Sequence, residues 1–194
     1  MGRLPDVGRE DLDDARLAVW DAVCRAREAE TLNEGGALAG PFNAFVQAPG
    51  IGNQLLALGN ALHVATSLPM RTIEMVILTV GSHWRTEFEW WAHAGRARDS
   101  GIAASVIEAI GAGVTPEFDH PGDAVLHSLA GQLVTTGRID DDTFIAAQQL
   151  VGHEGLVELV ALCGYYTLIS FILNGFDVEL PPGVPARWAA HDGG

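Results

Sequence analysis

Apolar residues recur at three- and four-residue spacing through nearly the whole chain, and alternating β-branched runs are scarce, so the pattern predicts an all-α protein. The first stretch, about residues 11–30, carries Leu12, Ala15, Leu17, Ala18, Val23 and Cys24 with acids early and reads as an amphipathic helix. NEGGALAG and Pro41 then break the chain. After FNAFVQAPG a helix is predicted over about 51–65, and Pro69 opens the next one near its first turn, where its missing N–H costs nothing. That helix, about 70–81, is apolar almost all round apart from Glu74, which makes it central and Glu74 at least partly buried. Gly81-Ser82-His83 ends it, and Thr86 can cap a following helix that runs to about residue 100 and stops at Gly101. Further helices are predicted at about 103–112, 123–136, 141–151 and 154–174, before an irregular tail rich in Pro and Gly.

The chain has 194 residues and 48% hydrophobic content, enough for one globular unit with a sizeable core. Residues 1–39 read as an N-terminal helix and Gly-rich link of that unit, 40–183 as its main body and 184–194 as a tail. Eleven basic against twenty-five acidic residues give a formal charge of −14, so nucleic acid and anionic membranes are not expected partners. The apolar run at 159–173 is shorter than the roughly 20 residues of a membrane span and reads as a buried core helix. Cys24 and Cys163 form no C-x-x-C pair and sit in apolar helical patterns, which predicts two buried thiols and a reducing, cytoplasmic setting. The first residues hold early acids and no apolar core of a secretory signal.

Candidate chemistry concentrates in RTIEMVILTVGSHWRTEFEWWAH at 71–93. In a helix beginning at Thr86, Glu89 and His93 are four apart and share a face. If Glu74 meets that face, two carboxylates and one imidazole stand among Trp84, Phe88, Trp90 and Trp91, a setting that tunes proton affinities. A plainer reading stands beside this one. Thr86-Glu87-Phe88-Glu89 fits the capping box T-x-x-E, with Glu89 returning a hydrogen bond to the backbone and Glu87 only complementing the helix dipole. His93 is then a satisfied structural histidine, Glu74 an inter-helix partner, for Arg71 or a backbone group, and the tryptophans core. A third arrangement, His83 with Glu89 and His93, has the ligand types of a metal site but only weak spacing.

Glu74, Thr86, Glu89 and His93 are spaced by twelve, three and four residues. This spacing resembles that of the alkylhydroperoxidase D-type thiol peroxidases, in which the two middle positions are the cysteines of a C-x-x-C pair. Here they hold Thr86 and Glu89, and Phe88 stands where the peroxidases place a further histidine. R-T-x-E at 71–74, E-F-E-W-W-A-H-A at 87–94 and the closing ELVALCGYYTLISFILNGFDVELPPG resemble the carboxymuconolactone decarboxylase family of the same superfamily, over about 40–183.

The resemblance implies an alkylhydroperoxidase D-like helical bundle, commonly a homotrimer or homohexamer, with the site carried by two adjacent helices. Without thiolates the peroxidase chemistry is not expected. The expected activity is cofactor-free acid/base catalysis on a small organic acid or lactone, of decarboxylase, lyase or isomerase type. His93 is the expected acid/base, Glu89 its orienting partner and Glu74 a relay or positioning group. Arg71 is expected to pair with a substrate carboxylate, with Trp90, His83 and Tyr166 as further substrate contacts. The alternative is a non-enzymatic oligomeric or ligand-binding protein that keeps the fold.

Overall fold

The computed structural model describes residues 2–26 and 32–188. They form eight α-helices and no strand, with a short 3₁₀ turn at Arg9–Asp11 and one isolated bridge between Leu32 and Leu38. The helices are α1 (Asp14–Ala26), α2 (Phe42–Gln47), α3 (Pro49–Val64), α4 (Met70–His83), α5 (Glu87–Asp99), α6 (Ala104–Gly111), α7 (Pro121–Thr136) and α8 (Asp141–Gly175).

The centre is α4, in which residues 72–81 are all buried, as its all-round apolar sequence requires. It packs on α5, α6, α7 and α8. Ile73, Met75, Val76, Ile77, Leu78 and Val80 meet Ile107, Leu129, Leu159 and Leu162 in the larger core cluster. A second cluster joins Val19, Trp20 and Val23 of α1 to Phe45 of α2, Leu56 of α3, and Ile169 and Leu173 near the end of α8. α3, through Leu62 and Leu56, and α8 contribute to both.

Helix ends follow local chemistry. Asp140 caps α8 by accepting from the Thr143 N–H at 2.7 Å. α7 starts with Pro121 and stops at Gly137, whose φ of 69° is the left-handed conformation that glycine adopts freely. The two helical runs predicted at 141–151 and 154–174 are both present within α8, joined at a kink at Gly152, which is non-helical with φ 68° and ψ −175°. By length and composition α8 could cross a membrane, yet 44% of its apolar window is buried against the rest of the chain, as in a core helix.

The structure adds to or alters several local expectations. The segment FNAFVQ, for which the pattern names no separate element, forms α2, because Phe42, Phe45 and Val46 are one helical face buried under α1 and α3. The first helix is described from Asp14, and its expected end at 27–30 lies outside the described residues. Cys24 is exposed rather than buried, while Cys163 is buried and its thiol is pushed up to about 12 by desolvation. Residues 184–188 are irregular as expected but do not hang free: the Glu87 carboxylate accepts from the N–H groups of Arg187 and Trp188, both at 2.7 Å. Glu87 is therefore an anchor as well as a dipole partner.

Candidate active site

The tight connection between α4 and α5 makes the site. Trp84, Arg85 and Thr86 donate their N–H groups to the carbonyls of Val80, Ser82 and Gly81, which folds α5 back along α4. In such a hairpin, residues equally far from the turn face each other. Glu74 stands ten residues before Trp84 and His93 nine after it. Gly81 faces Glu89 across the hairpin: a Cβ there would meet Glu89 Cβ at 3.6 Å, an ordinary van der Waals contact.

The outcome is a buried line of three ionisable side chains. Glu74, Glu89 and His93 are 1%, 4% and 5% exposed. His93 Nδ1 lies 2.7 Å from Glu74 Oε2, a short hydrogen bond between buried partners. Its other nitrogen, Nε2, lies 3.3 Å from Glu89 Oε2, beyond the usual range of a strong N–H···O bond. The ring is thus oriented from its Nδ1 side by Glu74, leaving Nε2 as the less committed nitrogen. The shorter contact to the ring is made by Glu74 and not by Glu89.

The capping box does not form. The Thr86 hydroxyl makes no hydrogen bond among the described residues, and the Thr86 N–H that Glu89 would have capped already donates to the Gly81 carbonyl at 2.8 Å. Glu89 is turned toward His93 instead.

A second imidazole, not anticipated from the sequence, joins them. His63 near the end of α3 is half-buried, with Nδ1 2.9 Å from the Gly59 carbonyl. That bond assigns the proton to Nδ1 and turns the Nε2 lone pair toward the Tyr166 hydroxyl at 3.3 Å. The Tyr166 ring stands edge-on to His93 at 5.4 Å and to His63 at 6.2 Å, and the two imidazole centroids are 6.4 Å apart. Tyr166 is the one expected substrate contact that the fold brings to His93. His63 carried no spacing signal, because its partner lies 103 residues away.

The other expected contacts lie elsewhere. Arg71 holds a carboxylate, but it is the chain's own Asp123, reached by Nε at 2.9 Å and Nη2 at 2.7 Å, while Nη1 donates to the Gly101 carbonyl. Trp90 is core: its ring packs edge-on to Trp188 at 5.4 Å, and the Arg187 guanidinium sits 4.4 Å over its face. His83, nine residues beyond Glu74, lies about 180° round α4 at ~100° per residue, edge-on to Trp84. The metal arrangement of His83, Glu89 and His93 is therefore not assembled, and no group of three or more potential ligands is gathered among the described residues.

No protein-family model matches the sequence, and no curated protein does. Solved structures do match. An uncharacterized peroxidase-related protein with an alkylhydroperoxidase AhpD core from Ralstonia eutropha superposes with a TM-score of 0.74 at 14% identity, over 93% of each chain. One from Silicibacter, also an uncharacterized peroxidase-related protein, gives 0.70 at 14% over 92% of this chain and 91% of its own. A putative antioxidant defence protein AhpD of unknown function from Agrobacterium tumefaciens gives 0.64 at 19% over 72% of this chain and 96% of its own. At these identities the likeness is one of architecture: the chain has the alkylhydroperoxidase D-like fold.

Proposed function

We propose that the chain is an acid/base enzyme acting on a small organic acid or lactone, by decarboxylation, elimination or isomerisation, with His93 as the proton-transfer group. The observation that carries this reading is the buried imidazole held between two carboxylates, at 2.7 and 3.3 Å. Glu74 fixes the ring and stabilises its protonated form as charge develops, and Nε2 exchanges the proton with substrate carbon or oxygen. Glu89, beside Nε2, relays that proton, and the Tyr166 hydroxyl, whose proton points to His63, presents its oxygen as an acceptor across the same space. A positioned acid/base is worth on the order of 10²–10⁴-fold in rate. Thiol peroxidase chemistry is disfavoured, because the positions nearest His93 hold Thr86 and Glu89 and neither cysteine stands in this line.

A second reading, a binding protein without turnover, has its own observation: neither of the two cavities described, one beside His83 and one lined by Leu55 and Phe176, is lined by His93. Both readings make the chain a homotrimer or homohexamer. The outward row Val157, Val160, Leu168 and Phe171 on α8 supports that, since such a row is normally covered. Light scattering tests it.

The test of the activity is a screen of carboxylated lactones and β-keto acids, following CO₂ release and ultraviolet change for the wild type, His93→Ala and Glu74→Gln. Turnover abolished in both variants with intact circular dichroism is the expected result. Turnover retained in His93→Ala overturns the assignment of His93, and ligand binding without turnover in the wild type favours the second reading.

A further inference from the structure

On the far side of α4 from His93 lies a cavity of about 760 Å³, within the size range of small-molecule sites. It is walled by the ends of α4, α6 and α7 and by Arg187 and Trp188 of the C-terminal strap. Its lining holds His83, Arg85, His127 and Arg187 and no Asp or Glu, in a chain with 25 acidic and 11 basic residues. A local reversal of charge in a concave site focuses potential toward anions.

Hydrogen-bond accounting points the same way. Three helix C-termini would ordinarily present free carbonyls here and favour a cation. At the ends of α4 and α6, and at Gly131 of α7, carbonyls that line the cavity are already engaged. Ser82 O accepts from Arg85 N–H, Ile110 O from Ser82 Oγ and Gly113 N–H, Gly111 O from Trp188 Nε1, and Gly131 O from Thr135 Oγ1. The donors are left over. Among the described residues no hydrogen bond or ion pair engages the side chains of His83, Arg85 or His127, and Arg187, though paired with Glu108, keeps a buried Nε without a partner. Arg85 reaches the rim from a left-handed backbone, φ 50°, which non-glycine residues seldom adopt and which recurs at functional positions. Opposite these groups, Ile110, Val114 and Val134 offer an apolar wall.

We propose that this cavity is a separate ligand site for a small organic oxyanion, its charged group held by Arg85 with His83 and His127 and its apolar body laid on Ile110, Val114 and Val134. An arginine fork suits carboxylate and phosphate alike. The inference stands independently of the acid/base reading, because no group of the Glu74–His93–Glu89 line belongs to the cavity.

The test titrates the full chain with benzoate and phenyl phosphate, with benzyl alcohol as the neutral counterpart, while histidine ring signals are followed by NMR. Saturable shifts are expected at His83 and His127 and not at His63 or His93, and the tighter of the two anions identifies the headgroup. Arg85→Asn removes the charge while keeping a residue that tolerates a left-handed backbone, and should weaken the anion at least tenfold. His93→Ala should leave the affinity unchanged. Binding of benzyl alcohol as tight as that of the anions, unchanged affinity in Arg85→Asn, shifts centred on His93, or no binding of either anion would each overturn the proposal.

Discussion

Replacing Glu74 separates a hydrogen-bonding role from a merely space-filling one, and it needs no substrate. The side chains of Glu74 and His93 are 1% and 6% exposed, so water cannot take over their bond. Glu74→Ala leaves a buried imidazole N–H without an acceptor, a loss of about 1–3 kcal/mol. It also deletes a buried methylene, about 0.8 kcal/mol, and opens a small cavity. Together these predict a loss of about 3 kcal/mol, at the low end of what breaking a buried pair costs. Glu74→Gln keeps the volume and an oxygen that still accepts from Nδ1–H, so about 1 kcal/mol is expected. The difference of about 2 kcal/mol is roughly a 30-fold difference in the folding equilibrium. Urea unfolding at neutral pH, followed by circular dichroism with an unchanged m-value, measures both variants. Equal losses in the two would show that charge and not the hydrogen bond holds His93. A Glu74→Ala protein as stable as the wild type would refute the inference that the pair is tightly coupled.

Gly52→Ala should destabilise the α2–α3 packing by about 1–3 kcal/mol, seen as a lowered melting temperature, because the added Cβ would overlap the Phe45 carbonyl oxygen and lie 2.7 Å from its carbon. Burial lowers the proton affinity of His127 below its ordinary value of 6.5, and that of His83 likewise. The folded state then binds fewer protons than the unfolded chain, so stability falls as pH drops from about 6.5 toward 5, and His127→Gln should flatten that slope in pH-dependent urea unfolding. Iodoacetamide at mildly alkaline pH should label exposed Cys24 and spare Cys163, whose thiol is pushed up to about 12, until the protein is unfolded; mass spectrometry that finds Cys163 modified in the native state would contradict its burial.

Much of this architecture was legible in the chain because it is local. The all-round apolar helix around Glu74, the break at 81–83 and the spacing of Glu89 and His93 all depend on helical periodicity, which reads directly from residue order. Together they place the three groups of the site on neighbouring helix faces. The choice among partners was not legible, because it depends on which side chains the packing brings within about 3 Å. Arg71 could have served a substrate, but α7 brings Asp123 to it from 52 residues away. Glu89 fits a capping box by spacing, but the hairpin hands the Thr86 N–H to Gly81 and frees Glu89 for His93. Trp90 looks like a substrate contact until Arg187 and Trp188 cover it.

The order of residues by itself determined most of the helices, the central position of α4 and the gathering of Glu and His side chains in the segment at 71–93, because those properties follow from polarity at fixed spacing. Only the tertiary structure decided that Glu74 rather than Glu89 makes the short bond to His93, that His63 and Tyr166 stand beside them, and that a donor-lined cavity opens behind α4. Each of these is a contact between residues distant in the chain, and such contacts arise only when whole helices dock.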